Sequence, residues 1–215
     1  IKAYIKKGWV TIEGQVIKQP DYKFDENITT VYFQDKPYTY AKYGYFMLNK
    51  PAGVVSATRD KLSDTVLSLL GDTGFKNLFP VGRLDKDTEG LLLISNDGML
   101  AHELLSPKKH VQKIYHVELD IPVTEDMSKG FEDGVELNDG VCKEASLEIT
   151  GEKTCLVTLK EGRYHQIKRM FGCFGAKVLQ LHRVAMGNLR LPEDLEVGQI
   201  RELTDKELKL LQQQL

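Results

Sequence analysis

Residues 79–98 read FPVGRLDKDTEGLLLISNDG. An apolar opening, Phe79-Pro80-Val81, gives way to Arg83, Asp85, Lys86, Asp87 and Glu89 packed into seven positions. After Gly90 the chain turns to Leu91-Leu92-Leu93-Ile94, an apolar run of buried-strand length. Asn96-Asp97-Gly98 closes it with strong turn chemistry. A charged loop that feeds a core strand can hold a reactive carboxylate on a rigid base. By composition alone, the same residues describe a solvated loop between two core elements.

Outward from this stretch, helical and strand periodicities mix irregularly. Upstream, Tyr45 to Leu48 reads as a strand running into the turn Asn49–Gly53, and Ser63 or Asp64 caps a short helix over Thr65–Leu70. Downstream, Met99–Leu105 reads as a helix stopped at Ser106-Pro107, followed by a basic loop, Lys108-Lys109-His110. Lys113–Leu119 alternates like a strand, Thr124–Gly130 forms a short helix, and residues 131–150 suit an antiparallel hairpin region around Gly134 and Gly140. Thr154–Lys160 is a strand. From Arg163 to Phe174 a helix places Ile167, Met170, Phe171 and Phe174 at i, i+3, i+4 and i+7, one apolar face. Leu179–Leu181 and Leu189–Leu191 read as strands. Thr204-Asp205-Lys206-Glu207 is a capping box opening a last helix that carries Leu208, Leu211 and Leu215. No βαβ unit repeats, so the fold class expected is α+β.

The first residues form a separate piece. A basic helix ends at Gly8, strands follow over Trp9–Glu13, Val16-Ile17 and Ile28–Phe33, and PYTYAKY (Pro37–Tyr43) reads as a linker. The domains expected are therefore 1–40 and 41–215.

Of the 215 residues, 41% are hydrophobic and 28% charged, enough for a core within a water-facing surface. No apolar run approaches membrane-spanning length, and IKAYIKKGW lacks the apolar stretch of a secretory signal. Cys142, Cys155 and Cys173 include no CxxC pair, which disfavours a disulfide framework or zinc site and fits a reducing cytoplasm. The net charge of -2 conceals segregation. Lys160 to Arg183 carries six basic residues against Glu161 alone, and Ser106 to His116 carries three lysines and no acid. Asp120 to Glu152 carries ten acids against Lys129 and Lys143. Such a distribution is expected where one face meets phosphates and another does not. There is no Walker loop, GxGxxG or HExxH, so neither a nucleotide cofactor nor a metal is expected.

GRLDKDTEGLLLISNDG resembles the signature loop of the pseudouridine synthases, in the branch that modifies ribosomal RNA and is typified by RsuA. Lys113-Ile114-Tyr115 and EGRYHQIKRMF from Glu161 resemble the family's other two motifs, in the same order, and the likeness runs from Tyr45 onward. The resemblance implies a pseudouridine synthase fold with a mixed, mainly antiparallel central sheet. It implies that residues 1–40 are a partial S4-like RNA-binding domain whose first helices would lie ahead of Ile1. The activity implied is conversion of uridine to pseudouridine in ribosomal RNA, without a cofactor, by a cytoplasmic monomer. RYHQIKRMF is more similar to the enzymes of the small subunit (16S rRNA) than to those of the large subunit (23S rRNA), which remain the alternative.

Residue by residue, the family's essential aspartate falls on Asp85. Tyr115 is assigned to stacking on the target base. Lys168 is assigned to pairing with Asp85, keeping that carboxylate ionised. Arg83 either holds the loop or contacts phosphate, and Lys50 either lies on the surface or touches the RNA backbone. Lys113, Arg163, His165 and Arg169 are expected at the RNA backbone. Two other classes compete. A hydrolase using Asp85 and Glu89 fits poorly, because paired glycosidase carboxylates flank a sugar from separate elements. A non-catalytic RNA-binding module leaves the GRLD loop without a role.

Overall fold

The protein's structure, a computed structural model, describes residues 1–106, 109 and 111–213. The expected helix stop at Pro107, Lys108 and His110 of the basic loop, and Leu215 therefore lie outside the described residues. The described chain divides into two compact units, Ile1–Tyr43 and Gly44–Leu215.

The first unit has a short helix α1 (Lys2–Lys6) and an antiparallel sheet of β1 (Val10–Ile12), β2 (Gln15–Ile17), β3 (Val31–Phe33) and β4 (Lys36–Tyr38), in the order β2-β1-β3-β4. Tyr4 stacks on Trp9 with centroids 5.2 Å apart, and both rings meet Phe33. The linker expected from Pro37 begins instead as strand. Gln34 and Asp35 both take positive φ (49° and 62°), the backbone of a tight hairpin, and return the chain against β3. Neither residue is the glycine that usually announces such a turn, which is why the sequence reads there as linker.

The second unit is built on a nine-stranded sheet. In chain order its elements are β5 (Tyr45–Lys50), β6 (Phe79–Val81), β7 (Glu89–Ser95), α2 (Gly98–Leu105), β8 (Lys113–Leu119), α3 (Glu125–Asp133), β9 (Glu136–Leu137), β10 (Gly140–Val141), β11 (Ser146–Ile149), β12 (Thr154–Leu159), α4 (Gln166–Gly172), β13 (Val178–Met186), β14 (Leu189–Arg190), β15 (Ile200–Glu202) and α5 (Asp205–Gln212). The main path is β11-β12-β8-β13-β7-β5-β15, with β14 beside β13 and β6 beside β7; β9 and β10 pair separately. Every ladder is antiparallel except β13 against β7. The sheet is thus mixed and mainly antiparallel, in an α+β unit.

Burial explains the apolar run at 91–94. Met47, Leu91 and Leu93 pack with Leu100, Ala101 and Leu104 of α2, while Phe46, Leu48, Leu92 and Ile94 pack with Val66 and Leu84 on the other side. A strand covered on both faces needs no polar alternation. Beyond the seam, β8 and β12 bury Val117, Leu119, Cys155 and Val157 against Phe131 of α3 and Ile167, Met170 and Phe171 of α4.

Three elements differ from expectation. The helix at 65–70 is a 3-10 turn, Val66–Leu69. Helix α4 begins at Gln166, because His165 adopts a left-handed backbone (φ 47°) that cannot continue a helix toward Arg163. Strand β13 runs on to Met186, past the expected Leu181; register shifts at Val178/Gln180 and Arg183/Ala185 break the alternation that would have revealed its length. The capping box at Thr204 and Glu207 is formed, opening α5.

Candidate active site

The parallel seam organises the site. At its start, His182 lies against Glu89 and Arg183 against Gly90, while Arg183 also lies opposite Tyr115 on the other flanking strand. Gly90 has φ +100°, and a Cβ there would sit 2.3 Å from the Arg183 carbonyl oxygen. Only glycine lets the strands approach this closely. Arg183, buried, donates from Nε to the Leu91 carbonyl at 2.7 Å and locks the seam from its other edge.

The residues just before β7 form the loop that presents Asp85, and it is pinned from below. Ser56 Oγ donates to the Leu84 carbonyl (2.9 Å) and accepts from the Leu84 amide (3.0 Å). The Gly53 amide donates to the Lys86 carbonyl at 2.8 Å, and the Thr88 amide to that of Asp85 at 3.1 Å. Lys50 completes the base. Its side chain is fully buried, and Nζ donates to the carbonyls of Thr88 (2.8 Å), Pro51 (3.0 Å) and Lys86 (3.3 Å). Burial pushes its pKa down to about 8, against the opposing pull of Asp87, Glu89 and Asp85. Both alternatives held for Lys50 in the sequence, surface lysine or RNA contact, are therefore corrected. It is an internal strut, since an ammonium with three carbonyl partners and no exposure cannot reach a phosphate.

Above this base, Asp85 is partly exposed where two clefts meet. The inner cleft, of about 90 Å³, is walled by Tyr115, Leu159, Ile167 and Leu181; the outer, of about 490 Å³, by Val55, Ala57, Asp60 and Tyr164. Arg83, Asp85 and His165 border both. Lys168, one position past the buried Ile167 on α4, brings Nζ to 4.0 Å from Asp85 Oδ2 and to 2.5 Å from Asp87 Oδ1. The closer partner is thus Asp87, which the sequence offered only as a loop charge; the hydrogen bond from Lys168 holds its carboxyl below the usual carboxylate range. His165 stands at the N-terminus of α4 with Nε2 3.6 Å from Asp85 Oδ1, too long for a hydrogen bond but on the carboxylate rather than at a distant backbone contact.

The expected RNA contacts divide. Arg83 is exposed at the cleft rim. Arg163 is not free to meet phosphate. Its guanidinium donates to the carbonyls of Gly140 (2.8 Å) and Val141 (2.6 Å) and lies 3.5 Å from Glu161. Arg169 grips both oxygens of Asp139, at 2.9 and 3.2 Å, and holds that carboxyl low. These two corrections share a cause: part of the basic run faces the acidic segment rather than a ligand. Lys113 does not border the Asp85 clefts; it is half-buried opposite Leu159 and Met186, and burial, helped by Arg183, pushes its pKa down.

Several supporting residues escaped the sequence. Gln166, buried, donates to Glu161 Oε1 at 2.7 Å and accepts from the Arg163 amide at 3.0 Å, fixing the 161–166 turn. A polar residue beside a buried apolar stripe was the available signal. Nothing around Ser56 marked its role. Among the described residues no three His, Cys, Asp or Glu side chains converge as a metal site would require. Chemically, the arrangement offers one carboxylate on a rigid loop, flanked by a lysine and an imidazole, beside a cleft with an aromatic and aliphatic wall suited to a planar base.

Comparison with known proteins gives this geometry its family. Residues 44–172 match the model described as RNA pseudouridylate synthase. An uncharacterised RNA pseudouridine synthase of Bacillus subtilis, YtzG, is 42% identical over 98% of the chain and 91% of its own length. Ribosomal small subunit pseudouridine synthase A of Vibrio cholerae is 40% identical over 95% of the chain and 89% of its own. A solved structure titled as a pseudouridylate synthase superposes with a TM-score of 0.75 at 38% identity, covering 98% of this chain and 91% of that one. With the family match spanning more than half of the residues and relatives this similar over nearly all of them, the chain belongs to the RNA pseudouridylate synthases, a family of isomerases.

Proposed function

We propose that the protein converts a uridine of small-subunit ribosomal RNA to pseudouridine, with Asp85 as the essential carboxylate. The observation that carries this reading is that Asp85 and Tyr115 line one cleft while Lys168 reaches to 4.0 Å from Asp85, all from segments far apart in the chain. The Vibrio cholerae relative is named for the small subunit, which supports the same target for this chain.

The reaction breaks the N-glycosidic bond from N1 of the base to C1′ of the ribose, turns the base in place, and joins C5 to C1′. The proton on C5 leaves to solvent and N1 gains one, so atoms and electrons balance without an oxidant, a reductant or a cofactor. Asp85 serves as nucleophile or base in this exchange. Its loop is held by Lys50 and Ser56, so the carboxylate need not reorganise when the substrate arrives. Lys168 pairs with this carboxylate and His165 stands beside it, while Tyr115 with Leu159, Ile167 and Leu181 contacts the extruded base and water is kept out. Arg83 at the rim takes phosphate. Residues 1–40 act as an S4-like RNA-binding unit, and the enzyme works as a cytoplasmic monomer.

The experiment is pseudouridine mapping of 16S and 23S rRNA from cells with and without the protein, paired with Asp85→Asn. Tritium release from 5-tritiated uridine in the target RNA should vanish in Asp85→Asn while RNA affinity stays within a few-fold. Release at the wild-type rate would remove Asp85 from its role, and a lost modification in 23S rRNA alone would move the target to the large subunit.

A further inference from the structure

Tyr164 is the one aromatic residue of the 161–166 turn, and its placement is unusual for a packing residue. It is 76% exposed, yet its ring lies nearly parallel to that of His165, 3.8 Å away at 17°. The left-handed backbone of His165 sets this arrangement by turning the chain sharply before α4. One face of the Tyr164 ring is thus covered by the imidazole, and the ring stands on the wall of the outer cleft, on which Asp85 also opens.

Apart from Arg83 at the rim, where a backbone phosphate is placed, the charged side chains of that cleft already have partners, which favours a base over a phosphate beside Tyr164. The Arg163 guanidinium is committed to the Gly140 and Val141 carbonyls, and Lys86 donates to Ser63 Oγ at 3.0 Å. The Asp60 carboxylate lies on the same wall, ionised by hydrogen bonds from the Leu62 and Ser63 amides, and would repel a phosphate. Val55 and Ala57 add apolar surface. When a nucleotide leaves its stack, the base next to it loses a stacking partner and exposes a π-face. An aromatic ring in place offers a substitute.

We propose that Tyr164, backed by His165, is a stacking platform for the nucleobase adjacent to the target uridine, and that the outer cleft is the subsite for that neighbour. This rests on the reading of Asp85 as the reacting centre, with the inner cleft holding the target. Tyr164 is then a specificity residue: it sets which RNA is accepted and touches no reacting atom.

The test uses the whole chain and an in-vitro 16S rRNA transcript. Tyr164→Ala should raise KM by roughly 5- to 160-fold, the worth of one base-aromatic stack, and by more than it lowers kcat. Tyr164→Phe and Tyr164→Trp, which keep the ring, should restore most of the affinity. In an Asp85→Asn background, where no turnover occurs, the added Trp of Tyr164→Trp should be quenched by the transcript beyond the response of the parent, which has Trp9 alone. A fall in kcat at unchanged KM for Tyr164→Ala, or no added quenching, would overturn the platform and leave Tyr164 as a prop for His165. If the wild type releases no tritium from this transcript, the functional reading fails. The same titration with single-stranded poly(A) still decides on Tyr164, since a platform for bases must quench with it too.

Discussion

Replacing Lys50 by Met separates structural from catalytic roles at the base of the Asp85 loop, and its consequence depends on pH in a calculable way. In the folded chain Lys50 releases its proton near pH 8, against 10.5 as the ordinary lysine value taken for the unfolded chain. Between these values the unfolded chain binds more protons, so stability must rise with pH. The burial penalty on the ammonium is thus fully present below pH 8 and relieved by about pH 10.5. At 1.36 kcal/mol per pH unit the whole effect is about 3 kcal/mol, most of which falls between pH 7 and pH 10. Lys50→Met has no such group. Urea unfolding of both proteins at the two pH values gives the effect as the change in their difference, because every other titrating group is common to both. The wild type should gain roughly 2–3 kcal/mol on the variant as pH rises. A difference that stays constant would refute the buried, depressed lysine. At pH 7 the variant also leaves the Thr88 and Pro51 carbonyls without this donor, which loosens the loop. Misplacing Asp85 in this way should lower kcat on the order of 10- to 100-fold with little change in KM.

Two further outcomes follow from the geometry. Arg169→Ala should leave the salt dependence of RNA binding unchanged, since its guanidinium already pairs with Asp139; a log-log slope reduced by about one would show a phosphate contact instead. Gly90→Ala should destabilise the second unit by about 3 kcal/mol or more in urea unfolding, combining a positive φ with a Cβ driven into the Arg183 backbone. A cost below about 1 kcal/mol would mean the seam can open at no great expense.

The sequence makes the core of this molecule readable where burial dictates composition. Leu91–Ile94 has to be a doubly covered strand, and Lys113–Leu119 emerges with its expected bounds. The neighbourhood of Asp85 was legible through resemblance rather than periodicity, because a loop's residues obey no repeat. Its support was not legible. Lys50 belongs by residue type to the surface, and only the three carbonyls that converge on it reverse that expectation. Arg163 and Arg169 misled for the opposite reason. A run of like charges in sequence carries no record of the acids that face it in space, and Asp139 lies 30 positions from Arg169. The left-handed His165 shortened α4 without a glycine to signal it, and the same turn placed Tyr164 and His165 beside the site.

The single parallel seam also bears on how the protein is made. Arg183 and Leu91, joined across it, stand 92 positions apart, and no hairpin connects β7 to β13. A nascent chain can form the β5–β7 ladder soon after residue 95 emerges, for those partners are antiparallel and nearer in sequence. Tyr115, α4 and then β13 arrive later, and closing so long a loop precedes any return from the contacts it makes. Until β13 docks, Asp85 sits on a sheet edge without Lys168, and the unpaired side of β7 is open to other strands. The carboxylate is therefore synthesised early and armed last, and a truncated chain lacking β13 would carry the signature loop with neither the parallel seam nor a protected edge.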